Sequence, residues 1–315
     1  MIRNHKQIAD YHVRPIPRMR RLVVDLAWLA QRKHMIRGLI EVDVTTARQT
    51  IRDHRAATGE RLSFTAFLVA CLGHAVDANR DLQAYQDWRG RLIVFDDVDV
   101  VTIVEIMADG QSFPLAHIVR AANRRTVREI HDEIRAVQVR PAASPSLQHM
   151  RAVKAFVRLP AWMRHLVYRA ISKRPRVWKQ LFGTLALTAV GMFGAGGGWG
   201  LALTAHTLGV TVGGISAKPA VVDGRVVTRE YLSLTVDFDH DIVDGAPAAR
   251  FVQHVKELIE RGNGLIDACE ERGDRAEPDA ASAAFETPSE GATVWSTGRE
   301  GQAHAPEGSP HGAGF

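Results

Sequence analysis

Residues 181–217 contain no Asp, Glu, Lys or Arg. A charge-free run of that length has two main solutions, a membrane-spanning helix or strands buried in a sheet. Glycine decides between them. The stretch "GMFGAGGGWG" at 191–200 disfavours a helix, because each glycine costs backbone entropy and interrupts the apolar surface. The run is therefore read as two buried strands, 184–190 and 201–215, joined by a flexible turn.

Around it, helical and extended periodicities alternate. "MRRLVVDLAWLAQRK", "TAFLVACLGHAVDAN" and "RRTVREIHDEIRAVQ" have the apolar spacing of helices, and 147–180 is helical and basic. "MIRGLIEVDVT", "RLIVFDDVDVVTIVEI", "SFPLAHIV" and 225–238 read as strands, and a helix follows from about 246 to 261. This order suggests a mixed β-sheet with helices on one side.

Charge divides the chain. From 262 to 315 there are ten acidic residues against three arginines, a net of −7, which leaves +12 on residues 1–261 out of a total of +5. The last segment is rich in Ala, Gly, Pro, Ser and Glu without periodicity, so 262–315 is read as a disordered acidic tail. The basic body suits an anionic ligand or surface. Cys71 and Cys269 match no zinc or redox spacing, and the N-terminus has no secretory apolar stretch, so a cytoplasmic protein is expected.

The chemistry concentrates in "TVDFDHDIVDGAPAARF" at 235–251. Asp237, Asp239 and Asp241 stand at positions 1, 3 and 5 of a calcium loop, but positions 6 and 12 are Ile242 and Ala248 instead of glycine and glutamate, so that reading fails. Metal ligand patterns are missing elsewhere, and no metal is expected. The remaining reading is a His-x-x-x-Asp-Gly turn between a strand and a helix: His240, Asp244, Gly245. A neutral imidazole at a strand end can take a proton from a thiol or hydroxyl, the carboxylate can fix the loop, and the glycine allows the sharp turn.

This stretch resembles the catalytic domain of the dihydrolipoyl acyltransferases, the core subunits of 2-oxo acid dehydrogenase complexes, within the chloramphenicol acetyltransferase-like superfamily. That family carries Asp-His-Arg-x-x-Asp-Gly between its last strand and helix, matched here by "DFDHDIVDG". A second block, "GTLALTAVGMFG" at 183–194, is similar to the family's Gly-Thr-Phe-Thr strand and its Gly-x-Phe-Gly turn, with the hydroxyl residue on Thr188. The resemblance covers residues 14–261, with 1–13 as an N-terminal extension and 141–182 as a basic helical insertion. Departures stand out: Asp241 replaces the family's arginine, Ala189 its asparagine after the hydroxyl residue, and "LTAH" its Asn-Pro-Pro stretch.

The resemblance implies an α/β fold, a two-layer sandwich of a mixed β-sheet with helices packed on one side, assembled as a homotrimer or a higher multiple of trimers with active sites between subunits. It implies His240 as general base toward the thiol of coenzyme A or dihydrolipoamide, and Thr188 of a neighbouring copy as oxyanion donor. Asp244 would hold the loop beside Gly245, with Arg20 or Arg21 as its candidate partner. Lys218, Arg174 and Lys179 are candidate contacts for coenzyme A phosphates. The chain shows no lipoyl-lysine motif, so a lipoyl group would come from a separate lipoyl-domain protein or dehydrogenase-complex component. Alternatives are a non-catalytic trimeric scaffold of this fold, a hydroxyl or amine acyltransferase, and a module that uses the basic helix 147–180 on an anionic membrane surface. Nucleic acid is not expected as a partner. On that helix, Met163, Leu166, Val167, Ala170 and Ile171 form a stripe expected to pack on its own domain.

Overall fold

The structure, a computed structural model, describes residues 15–108, 111–141, 150–189 and 196–270. Its centre is a six-stranded sheet of order β1-β8-β7-β6-β4-β5. The strands are β1 (Met35–Asp43), β4 (Val100–Ala108), β5 (Gln111–Val119), β6 (Leu185–Ala189), β7 (Leu208–Val222) and β8 (Arg225–Asp239), while β2 (Tyr85–Gln86) and β3 (Leu92–Ile93) make a small separate ladder. β6 lies parallel to both β4 and β7, and the other pairs are antiparallel, so the sheet is mixed as expected.

Alternation along β8 sets the two faces. Leu232, Leu234, Val236 and Phe238 join the main core, whereas Ser233, Thr235, Asp237 and Asp239 point to the opposite side, and all eight are buried. The apolar side is covered by helices α2 (Thr45–Thr58), α3 (Phe64–Asp77), α4 (Val127–Val139) and α8 (Gly245–Glu260). Apolar along nearly its whole length, α3 is fully enclosed, and Phe251 of α8 meets Phe238 edge-on at 5.8 Å.

The second face stays dry because residues 196–206 cross it. Gly214 N–H donates to Gly198 O at 2.9 Å, Gly198 N–H to Ser233 Oγ at 3.3 Å, and Trp199 Nε1–H to Ile40 O at 3.1 Å. A Cβ on Gly213 would lie 2.1 Å from Gly198 O, so backbone crosses backbone there and only glycine fits. This explains one departure from expectation. Residues 201–207 are not the start of a strand: His206 and Thr207 spend their side chains on Phe182 O and Ala84 O, which holds the segment off the ladder until Leu208.

Two other readings change. Helix α2 was not anticipated, and its buried residues are only Ala47, Ile51 and His54. The folded body also runs past 261: α9 (Leu265–Glu270) buries Leu265 and Ala268, and Arg128 donates to Ala268 O at 2.6 and 3.1 Å. The proposed tail therefore does not begin at 262; residues 271–315, like 1–14 and the Gly-x-Phe-Gly turn at 191–194, lie outside the described residues.

The basic segment forms three helices, α5 (Met150–Phe156), α6 (Ala161–Ser172) and α7 (Pro175–Phe182); α6 packs against α1 (Arg20–Ala30) and α7 against α6. A second small core of Leu29, Ala30, Tyr85, Trp178 and Ala205 lies under them. The docking of α6 turns part of its expected stripe outward, although Ile171 packs against this second core. Its buried residues are Arg164 and Tyr168, while Leu166 is 62% exposed and Trp162 67%. The cause is Asp25 of α1, which accepts from Arg164 at 2.7 and 3.1 Å and lies 3.1 Å from His165 Nε2. His165 stacks on Trp28 at 4.0 Å, and Arg32 covers that indole. An unpaired buried carboxylate is far more costly than an exposed leucine, so the ion pair dictates which side of α6 faces in.

Candidate active site

At the end of β8 the chain leaves the sheet through a tight turn. Ile242 N–H and Val243 N–H both donate to Asp239 O, at 3.0 and 2.9 Å, and α8 starts at Gly245. Val243 is buried as the anchor of the turn, while His240, Asp241, Asp244 and Gly245 are exposed. His240 thus stands at the sheet's edge with its imidazole toward solvent, and among the described residues no carboxylate lies within ion-pair reach of it.

Three links tie this turn to residues 33–37. His240 N–H donates to His34 O at 2.8 Å, Lys33 Nζ pairs with the buried Asp239, and His34 Nδ1 meets Asp241 Oδ1 at 2.9 Å. One step back along the ladder, Arg37 pairs with Asp237 at 2.7 Å; burial nevertheless pushes that carboxyl up. The hydrogen bond from Asp241, and then its charge, raise the His34 imidazole above its ordinary 6.5. Asp241, the residue that departs from the family pattern, is therefore engaged by His34.

Asp244 caps α8 with extended backbone geometry but without a side-chain cap bond; its carbonyl accepts from Ala248 N–H at 3.1 Å. The loop is held by Asp239 and Lys33. Neither Arg20 nor Arg21 pairs with Asp244 among the described residues: Arg21 donates to Val157 O at 3.0 Å and so serves the α1–α5 contact. Sequence reasoning passed over Lys33 and His34, although the run "QRKH" at 31–34 places two cationic side chains at the mouth of β1.

Thr188 lies on β6, half-buried, on the side of the sheet opposite the helices. It pairs across the ladder with Thr211, which pairs with Thr235. His240 is five residues beyond Thr235 and two strands over. At 3.3 Å per residue and 4.8 Å per strand, Thr188 and His240 of one chain are separated by about 19 Å. They cannot touch the same reacting atom within one chain.

The three candidate phosphate contacts do not converge. Lys218 pairs with Glu41, and Lys179 donates to Asp97 O at 2.8 Å beside the Phe95 ring. Ten residues along β7 from Leu208, Lys218 is about 30 Å from the end of the sheet where α7 joins β6. Arg174 lines an open cleft with Trp88, Leu166, Arg169, Ala170 and Lys173. The buried imidazole of His206 is pushed down to about 4, with burial as the cause, which suits its fixed bond to Phe182 O. Among the described residues, no group of three or more His, Cys, Asp and Glu could hold a metal ion, and no helix is long and apolar enough to cross a membrane.

Residues 144–266 match the family model of the 2-oxoacid dehydrogenases acyltransferase (catalytic domain). The chain is 36% identical over 78 residues to the lipoamide acyltransferase component of the branched-chain alpha-keto acid dehydrogenase complex of Pseudomonas putida, covering 25% of this chain and 18% of that protein. It is 25% identical over 266 residues to the dihydrolipoyllysine-residue acetyltransferase component of the pyruvate dehydrogenase complex of Staphylococcus aureus, covering 80% of this chain and 52% of that protein. The chain thus spans about half or less of the length of these curated relatives. Among solved structures, the cubic core of the pyruvate dehydrogenase multienzyme complex superposes with a TM-score of 0.61 at 14% identity, over 84% of this chain and 97% of that one. A probable dihydrolipoamide acetyltransferase from Listeria monocytogenes gives 0.58 at 19%, over 80% and 96%. The fold expected from the sequence is the fold found.

Proposed function

We propose that this chain, whose residues 144–266 carry the catalytic-domain signature of the 2-oxoacid dehydrogenase acyltransferases, moves an acyl group between coenzyme A and a dihydrolipoyl-type thiol on a separate protein. It does so as a trimer or a multiple of trimers. The observation that carries the reading is the exposed His240 at the sheet edge, about 19 Å from the Thr188 of its own chain by strand geometry. A site that needs both is completed by a second copy.

His240 takes the thiol proton, and the thiolate adds to the carbonyl carbon of the acyl thioester. The carbonyl oxygen becomes an oxyanion, toward which Thr188 of the neighbouring copy directs its hydroxyl. Collapse of the tetrahedral adduct breaks the old C–S bond, and the departing thiolate recovers the proton from the imidazolium. The exposed turn gives His240 room for a thiol, and the pairing of Asp241 with His34 supports an imidazole free to act as a base.

Incubation of the purified protein with acyl-CoA and dihydrolipoamide tests this. His240→Ala is expected to lower kcat by on the order of 10²- to 10⁴-fold. Co-assembly of His240→Ala chains with Thr188→Ala chains is expected to regain activity above the sum of the two separate variants. Unchanged turnover in His240→Ala would sink the mechanism.

A second reading rests on the outward face of α6. Trp162, Leu166 and Val167 are exposed there, and 134–222 carries no acidic residue, a pattern that supports contact with an anionic surface. Co-sedimentation with anionic vesicles at low salt, lost in Trp162→Ser/Leu166→Ser, is the expected outcome.

A further inference from the structure

The position after the base histidine is one at which this chain departs from the pattern it resembles, and the structure gives that departure a partner. Asp241 Oδ1 lies 2.9 Å from His34 Nδ1, and the same His34 accepts the His240 backbone N–H through its carbonyl at 2.8 Å. One residue, placed by the connection between α1 and β1, thus holds both the backbone of the histidine and the side chain that follows it.

We propose that His34 is a positioning residue for His240: by holding the Asp241 carboxylate it keeps that negative charge off the neighbouring imidazole. The inference rests on the reading of His240 as the base. A carboxylate beside a general base stabilises its protonated form and so leaves less of it ready to accept a proton at neutral pH. An aspartate directly after the histidine is therefore a hazard, and His34 neutralises it by taking the carboxylate as its own counter-ion.

The neighbouring cations of the turn are already committed. Lys33 pairs with Asp239 and lies over the Tyr85 ring at 5.8 Å, and Arg37 pairs with Asp237. Asp244, at the start of α8, is exposed and makes no cap bond. Lys33 and Arg37 are thus occupied, which leaves His34 to hold Asp241. The pair is solvated, with the His34 side chain 81% and that of Asp241 59% exposed, so the device adjusts a charge and does not hold the fold. The sign follows from the pairing: Asp241 raises the proton affinity of His34, so the ion pair is complete on the acid side. As pH rises through the His34 titration the imidazole loses its charge and keeps only the hydrogen bond.

The test reads the imidazoles directly. Full-length protein labelled with 13C at the histidine Cε1 is titrated by NMR, with wild type, His34→Ala, His34→Gln, Asp241→Asn and His34→Ala/Asp241→Asn compared. In His34→Ala the midpoint of His240 is expected to rise by roughly half a pH unit or more, as a released carboxylate acts on it. The double variant is expected to return it to the wild-type value, and His34→Gln, which can still donate to Asp241, to stay near it. Asp241→Asn alone is expected to lower the His34 midpoint and leave His240 where it was. An unmoved His240 in His34→Ala, or a lowered one in Asp241→Asn alone, would overturn the proposal. No substrate is present, so the outcome is independent of acyl transfer; an active His240→Ala would overturn the catalytic reading without touching this result.

Discussion

Asp25 at the α1–α6 contact and Asp241 in the turn after β8 are both held by a histidine, the first with an arginine beside it. Asp25 is 1% exposed and grips Arg164, itself 6% exposed, together with His165. Asp241 and His34 lie in solvent. The difference lies in desolvation. A buried carboxylate has given up its water and depends wholly on its partners, whereas an exposed one trades a weak partner for hydration at little cost. The first pair therefore fixes how the basic helices sit, and the second can be altered without disturbing the fold.

The largest expected effect breaks the buried half of that contrast. Arg164→Ala strands Asp25 in the α1–α6 contact and is expected to destabilise the protein by about 3–5 kcal/mol, read as a drop in the thermal midpoint. Replacing both partners, as Asp25→Leu/Arg164→Met, is expected to cost much less, because no orphaned charge remains. A double variant as unstable as the single would mean that Asp25 has a role other than as a partner of Arg164.

Next in size is Thr188, the oxyanion donor under the proposed function. Thr188→Ala is expected to lower kcat by roughly 10²-fold, equivalent to about 3 kcal/mol of transition-state stabilisation, with the thermal midpoint little changed.

An intermediate effect comes from the buried imidazoles, which follow the Asp25 pattern. His131 and His206 are each pushed down to about 4 from 6.5, with burial as the leading cause. The unfolded chain binds these protons more readily than the folded one. Stability is therefore full above 6.5 and falls as pH drops toward 4. Chemical denaturation across that window is expected to show the decline, and a variant with His206→Gln a shallower one.

The smallest effect belongs to the exposed pair. Asp241→Asn is expected to leave the thermal midpoint unchanged, while the NMR titration of His34 moves. A stability loss comparable to that of Arg164→Ala would erase the distinction between the two carboxylates.

The strand-to-helix turn at His240 was legible in the sequence because three local signals agree there: alternation up to Asp239, turn residues, and the apolar spacing of α8. The sheet was legible for a similar reason, since its strands are densely apolar and bounded by breakers. What escaped depends on contacts between distant segments. The outward stripe of α6 is decided by Asp25, well over a hundred positions earlier, and no local period reports that. Residues 201–207 have the composition of a strand, yet hydroxyl and imidazole bonds to backbone carbonyls keep them off the ladder. Helix α2 is largely solvated and so has a thin apolar face. The partner of Asp241 was invisible for the same reason as that of Asp25: pairing across β1 and β8 is set by sheet order.

That adjacency of β1 and β8 also bears on how the molecule forms. Met35 pairs with Asp239 and Asp43 with Tyr231, so the first long strand waits for nearly the last before its ladder can close. Contacts of such sequence separation carry a high loop-closure cost and are gained late on the folding path. On a ribosome, β1 emerges with both edges unpaired and keeps them so until β8 has been made. The turn that carries His240 is among the last elements to be completed, and chain interruptions before it leave β1 as a sticky edge exposed to aggregation.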